Sequence, residues 1–157
     1  MMRIWKVSLT VLVVCLALAT EYLVYGAQAH VSVQVETAAA QEHAATYDSV
    51  VAAVKSGAAE RVLSAEAFTG AADYTLVSMR VTLQNPGLLP MEWLTCEYLP
   101  APGDVAVYEV TELPTDVAPG CEKSFFVRLI RKNGGTESGG LRLTYYVAGQ
   151  AIPKEIR

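Results

Sequence analysis

The chain has 157 residues, of which 12 are basic and 16 acidic, and its formal net charge at pH 7 is −4. A mild negative charge without long blocks of either sign repels nucleic acid, so nucleic-acid binding is excluded as a predicted function. Beyond an apolar N-terminal run, the remaining length suffices for one domain with a hydrophobic core but not for two.

Residues 1–26 are predicted to form a transmembrane anchor or a signal segment. Arg3 and Lys6 precede a largely hydrophobic run over Val7–Tyr25. A helix from Trp5 to Tyr25 would have about 21 residues and span roughly 31 Å, which matches a hydrocarbon core of about 30 Å. The alternative is a secretory signal that is cleaved after the small residues of Ala17-Leu18-Ala19.

Aromatic residues at both ends of the run favour the uncleaved anchor. Trp5 at one end, and Tyr22 and Tyr25 at the other, lie where such rings prefer the two membrane interfaces. Glu21 lies one turn from the end of the helix, from which its carboxylate reaches water. Because basic residues keep the N-terminus in the cytoplasm, we predict a cell-membrane protein that crosses once and has its C-terminal domain on the extracytoplasmic side.

Residues 27–73 are predicted to contain a stalk strand and a short amphipathic helix. His30–Glu36 alternates apolar and polar residues, which is typical of a short strand, although this segment could also continue the membrane helix as a stalk. The alanine-rich stretch Thr37–Ser56 has apolar residues at helical spacing, and Gly57 is placed to end the helix. Its apolar face is predicted to cover part of the domain core. A further short strand is predicted over Arg61–Phe68.

Residues 74–157 are predicted to form an antiparallel β-sandwich. The strands, separated by turns such as Asn85-Pro86-Gly87, run over Tyr74–Gln84, Met91–Leu99, Val105–Val110, Ser124–Arg131, Leu141–Val147 and Ala151–Ile156. Close, regular spacing without intervening helices favours a sandwich over a βαβ fold. The inward residues are predicted to be Val77, Met79, Val81, Leu83, Leu94, Cys96, Tyr98, Phe125, Val127, Leu129, Leu141, Leu143, Tyr145 and Val147.

Two local predictions concern side chains outside that inward set. Trp93 is expected to pack on the face of its strand opposite Leu94. Arg128, Arg131 and Lys132 are expected to keep an edge strand soluble.

The cysteines leave two alternatives open. Cys15 lies in the hydrophobic run, so Cys96 and Cys121 remain as a disulfide pair of an oxidising compartment or as two separately buried thiols.

No catalytic, cofactor-binding or metal-binding residue is assigned from the sequence, and no enzymatic activity is predicted. His30 and His43 are interpreted as solvated side chains, because too few further ligands lie near them in sequence. The segment around Ser138 lacks the G-x-S-x-G order of a nucleophile elbow. Glu92 and Glu97 flank Trp93 and suggest a sugar-binding or glycosidic pair, but acidic residues are common on exposed strands.

Residues Val81–Val110, VTLQNPGLLPMEWLTCEYLPAPGDVAVYEV, and Val117–Ile130, VAPGCEKSFFVRLI, together cover roughly half of the domain's strands and turns. Their strand, Asn-turn and strand pattern resembles that of bacterial immunoglobulin-like extracytoplasmic β-sandwich modules. The resemblance implies an immunoglobulin-like fold beside a membrane anchor. The Cys-Trp-Cys order of antibody domains is absent, because Trp93 precedes both domain cysteines, and the resemblance implies no functional residues.

The predicted function is a non-enzymatic, membrane-anchored extracytoplasmic β-sandwich that acts as an envelope protein-interaction or structural module. The alternative is a secreted carbohydrate-binding or enzyme-accessory module that is released by cleavage after Ala19. For an anchored module, binding is expected at an exposed sheet edge and at the loop over residues 132–140.

Overall fold

The computed structural model describes residues 2–22, 28–135 and 139–157, and for residues 2–7 it describes the backbone alone. The elements are α1 (Met2–Glu21), β1 (His30–Ala39), α2 (Ala44–Ser56), β2 (Arg61–Val62), β3 (Tyr74–Gln84), β4 (Met91–Leu99), β5 (Asp104–Thr111), β6 (Asp116–Val117), β7 (Glu122–Lys132), β8 (Gly140–Val147) and β9 (Gln150–Ile156).

The strands form two antiparallel sheets. The five-stranded sheet has the order β1-β3-β7-β5-β2, and the four-stranded sheet has the order β6-β4-β8-β9. Their inner faces share one hydrophobic core. The predicted mainly-β sandwich is therefore confirmed.

The main core lies between the sheets and is built by strict alternation along β3, β7 and β8. Every second residue of these strands faces inward, because successive side chains of a strand point to opposite faces. The inward residues predicted for these three strands are all buried in this core, namely Val77, Met79, Val81, Leu83, Phe125, Val127, Leu129, Leu141, Leu143, Tyr145 and Val147.

A second core lies on the outer face of the five-stranded sheet, under α2. Tyr47 and Val50 of the helix are buried against the sheet, and Val51 and Val54 pack beside them. The sheet contributes Tyr74, Leu76, Val105, Ala106 and Ile130. The predicted amphipathic helix and its apolar face are confirmed, and Gly57 ends the helix with a φ of 74°.

The helix begins later than the sequence pattern indicates, because β1 is longer than predicted. β1 continues to Ala39, which pairs with Thr75 of β3, and a single 3₁₀ turn over Ala40–His43 leads into α2. The segment from His30 is therefore a strand and not a helical stalk. The strand predicted over Arg61–Phe68 is reduced to the two residues of β2.

β1 also attaches residues 28–73 to the sandwich. It pairs with β3 over ten residues, from His30 opposite Gln84 to Ala39 opposite Thr75. Both β1 and α2 thus pack directly on the strands that follow residue 73.

The prediction that Arg128, Arg131 and Lys132 protect an edge strand is wrong. They belong to β7, which is the middle strand of the five-stranded sheet. Each cation instead neutralises a carboxylate of another segment, in the pairs Arg128–Glu109, Arg131–Asp104 and Lys132–Glu66.

The N-terminal helix α1 presents its apolar side chains to the outside. From Leu9 to Leu18, its large hydrophobic residues are 51 to 60% exposed. Among the described residues, no helix reaches the length and apolarity that a membrane crossing requires. The side chain of Trp5 and all of Tyr25, which mark the ends of the predicted span, lie outside the described residues.

Candidate binding face

Trp93 occupies a β-bulge near the start of β4. Glu92 pairs with Tyr146 of β8, but the next pair is Thr95 with Thr144, so β4 contains one more residue than β8 over this interval. Trp93 has a φ of 55°, in the left-handed region that non-glycine residues rarely adopt. A bulge of this kind bends the strand and redirects a side chain.

The bulge leaves Trp93 exposed and unpacked. The inserted residue allows Met91 and Leu94 both to face the core, with Glu92 and Trp93 between them on the outside. Trp93 is 75% exposed, so the prediction that its side chain packs on the outer face is wrong. Leu94 and Tyr98 are buried as predicted, with Cys96 partly buried beside them.

The indole stands between two shallow grooves. A groove of ≈ 420 Å³ on the β6 side is lined by Glu92, Trp93, Leu94, Thr95, Thr115 and Asp116. Another of ≈ 450 Å³ on the β8 side is lined by Glu92, Trp93, Thr95, Tyr146 and Gly149. We call the surface formed by Glu92, Trp93, Thr95, Thr115, Asp116 and Tyr146 the Trp93 face.

The Trp93 face combines aromatic surface with hydrogen-bonding groups. Trp93 and Tyr146, the latter 39% exposed, supply flat apolar rings that stack on another ring or on the C–H face of a sugar. Two threonine hydroxyls and two carboxylates surround them. These six residues are therefore suited to recognise a ligand by stacking and hydrogen bonding.

The structure places Glu92 and Glu97 in different surroundings, although the sequence suggested them as a pair. Glu92 lines both grooves beside Trp93. Glu97 instead bridges Arg61, at 3.4 Å, and Arg142, at 3.3 Å. Arg142 also hydrogen-bonds Glu155 and thereby lowers the pKa of that carboxyl group. Glu97 is therefore part of an ion-pair network and not of the Trp93 face.

The other residues considered in the sequence are scattered. His30 and His43 are both exposed, one on β1 and one before α2. In the described ranges, no group of three or more histidine, cysteine, aspartate or glutamate side chains could hold a metal ion. Ser138 lies outside the described residues, as do residues 136 and 137 of the same loop.

The cysteines are free thiols in different environments. Cys121 is exposed in the turn before β7, while Cys96 is partly covered by the main core. Burial raises the pKa of the Cys96 thiol to about 12, so at neutral pH this side chain is a protonated packing group and a poor nucleophile.

A buried polar network lies at the C-terminal end of β4. The Tyr98 hydroxyl and the Ala101 N–H each donate to one carboxylate oxygen of Asp104 at 2.7 Å, and Arg131 Nε donates to the second oxygen at 2.6 Å. Burial, together with the Asp104 hydrogen bond, raises the pKa of Tyr98. Both oxygens of Asp104 are bonded within the protein, so this network fixes the β4–β5 loop.

The pattern Met91-x-x-Leu94 is the sequence signal from which the Trp93 face could have been found. Two inward residues separated by two positions break strict alternation, which indicates a bulge and predicts an outward Trp93. Comparison of the chain with protein-family models and with curated proteins found no match in either.

Proposed function

We propose that this chain is a non-enzymatic binding module, an immunoglobulin-like β-sandwich that is anchored in the cell membrane by residues 1–26 and binds an envelope protein on the extracytoplasmic side. The observation that carries the proposal is the exposed indole of Trp93, held on a bulge between two grooves.

The strand order supports the immunoglobulin-like part of the proposal. Immunoglobulin constant-type domains place strands A, B, E and D in one sheet and C, F and G in the other. Here β1, β3, β7 and β5 follow the first order, and β4, β8 and β9 follow the second. The two-residue strands β2 and β6 are additions at the sheet edges next to β5 and β4.

The character of α1 supports the membrane part. A helix whose apolar residues face outward on every side is typical of one that is surrounded by other apolar material. Val11, Leu12, Val13 and Val14 are consecutive and all more than half exposed, so they present apolar surface around the whole helix. Arg3 and Lys6 before the run support a cytoplasmic N-terminus.

The exposure of Trp93 supports the binding part. Binding is favoured when a partner covers a large aromatic ring on the surface. Tryptophan and tyrosine are enriched among the residues that dominate binding energies. The left-handed conformation of Trp93 is unfavourable by roughly 1–2 kcal/mol for a non-glycine residue. A conformation that costs stability and exposes an indole is expected at a site where the side chain has a function.

A secreted carbohydrate-binding or enzyme-accessory module is the second candidate. It is favoured by the hydroxyl and carboxylate groups that line the grooves beside the indole. Such acceptors hydrogen-bond sugar hydroxyls while the aromatic ring stacks on the sugar. The same face would then bind an envelope polysaccharide instead of a protein.

Site-specific photocrosslinking in the full-length chain tests the first candidate. A benzophenone amino acid replaces Tyr146, beside the indole, and irradiated membranes are analysed for adducts by mass spectrometry. We expect one adduct with an envelope protein, weakened roughly tenfold or more by Trp93→Ala, because truncation of a central aromatic residue commonly costs 2 kcal/mol or more. The matched control places the benzophenone at Val62, an exposed apolar position on the other sheet.

Pelleting with isolated cell-wall polysaccharide separates the two candidates. Retention on the polysaccharide that is lost in Trp93→Ala, without a protein adduct, would support the carbohydrate module. If neither adduct formation nor pelleting depends on Trp93, the face is not a binding site and both proposals fail.

A further inference from the structure

The loop between β3 and β4, residues 85–90, is rigid because a buried side chain organises it. Asn85 is 1% exposed, and its Nδ2 donates to the carbonyl oxygens of Leu89 and Val117, both at 2.9 Å. Its Oδ1 accepts the N–H of Gly87, also at 2.9 Å. A loop that is fixed in this way, with Pro86 in its first half, loses little conformational freedom when its tip contacts another surface.

The tip of this loop is apolar and exposed. Leu88 is 82% exposed and Leu89 is 39% exposed. Asn85 bonds the Gly87 N–H and the Leu89 carbonyl on either side of Leu88, which fixes the backbone that carries both leucines. An exposed pair of leucines on a rigid loop is a surface that an apolar environment would stabilise.

The tip is bound to the end of α1. The backbone N–H groups of Leu88 and Leu89 donate to the hydroxyl oxygen of Tyr22, at 2.6 and 3.2 Å. Tyr22 follows the last residue of α1 and packs against the main core. Leu88 therefore lies next to the C-terminal end of α1.

We propose that Leu88 and Leu89 enter the interfacial layer of the membrane that holds α1, so that the sandwich sits directly on the lipid surface. This inference rests on the membrane anchor proposed above. Tyr22 at the helix end is a residue type that favours the interface, and its bonds to the loop bring the leucines to the same depth. Glu21 next to it makes a zwitterionic lipid surface a better match than an anionic one.

Quenching of tryptophan fluorescence by brominated lipid tests this proposal in the full-length chain. Trp5→Phe and Trp93→Phe remove both native tryptophans, and Leu88→Trp introduces a single probe at the tip. The matched control carries Val62→Trp, at an exposed apolar residue whose neighbour Arg61 bonds the Tyr98 carbonyl at the far end of β4. Both proteins are reconstituted into phosphatidylcholine vesicles with and without bromine on the acyl chains.

We expect the Leu88→Trp probe to emit at shorter wavelength than the control probe and to lose roughly half of its emission in brominated vesicles. An interfacial side chain lies about 5–10 Å deep, within reach of brominated chains.

A blue shift without quenching would mean that protein covers the tip, and this result would overturn the proposal. So would equal emission in both lipids from a chain that resists carbonate extraction. Release of the chain by carbonate would overturn the anchor as well, which distinguishes the two failures.

Discussion

Trp93 combines two properties that lower the stability of the fold. Its φ of 55° places a bulky side chain in the left-handed region, and its indole is 75% exposed and so gains little from burial. Glu112, with a φ of 61°, has the same backbone conformation but lies outside the Trp93 face. The two residues therefore allow backbone strain to be separated from side-chain function.

We expect Trp93→Gly to keep or raise the free energy of unfolding, by up to about 1 kcal/mol, because glycine adopts a positive φ without steric cost. The same variant should lose the photocrosslink or the polysaccharide binding. Urea unfolding of the purified chain measures the first effect, and the binding assays above measure the second.

Glu112→Gly is the matched control for this prediction. It relieves the same type of strain, so a similar stability change is expected, with binding intact. A loss of more than about 1 kcal/mol in Trp93→Gly alone would contradict the prediction, since such a loss is typical of a residue that supports the fold.

At the scale of elements, α2 shows how one cap determines where a helix ends. The N–H groups that follow the helix bond backward, from Gly57 to Val54 at 3.2 Å and from Ala58 to Ala53 at 2.8 Å. This is the arrangement of a Schellman motif, which requires a left-handed residue at the position of Gly57. The cap therefore ends α2 at Ser56.

Gly57→Ala is expected to lower the free energy of unfolding by about 1 kcal/mol, as measured by urea denaturation. A Cβ at this position would meet nothing within 4 Å, so the effect is due to the backbone alone. Gly70→Ala is the control, because Gly70 has equal space but a φ of −78°. It should leave stability unchanged or raise it slightly. Equal losses in both variants would show that the left-handed cap is not the cause.

The elements that the sequence predicted well are those with an uninterrupted period. β3 and β4 have the predicted bounds, and the inward faces of β3, β7 and β8 are as predicted, because alternation depends only on neighbouring residues. The central position of β7 depends on pairing between distant segments, which local patterns do not contain. The Trp93 face was missed because one inserted residue reverses the alternation at a single point.

At the scale of the whole molecule, the five-stranded sheet contributes side chains to two hydrophobic cores. The five-stranded sheet packs against the other sheet on one side and against α2 on the other. Tyrosine side chains contribute to both cores, and Cys96 packs against the main core. Burial raises the pKa of Tyr47, Cys96 and Tyr145. The folded protein therefore retains protons at alkaline pH that the unfolded chain releases.

We expect stability to fall as pH rises above about 9. For Cys96 the reference pKa is 9.0 and the folded pKa is about 12, so its contribution is complete below pH 9 and is lost progressively up to about pH 12. Cys96→Ala should make this fall shallower by up to about 1.4 kcal/mol per pH unit, which is the limit for one proton. Urea unfolding at several pH values between 7 and 11 measures the slope.

Cys121→Ala is the matched replacement for comparison, since Cys121 is an exposed thiol and Cys96 is packed against the main core. Parallel curves for the native chain and Cys96→Ala would show that Cys96 does not contribute to the alkaline loss.

The ten-residue pairing of β1 with β3 also determines how the sandwich resists mechanical load. A pulling force that acts on the N-terminal end of β1 along the strand loads all ten pairs of this ladder. Antiparallel ladder bonds run perpendicular to the strands, so an axial force shears the whole ladder at once instead of opening it one bond at a time. A load along β1 is therefore resisted by all the bonds of this ladder together.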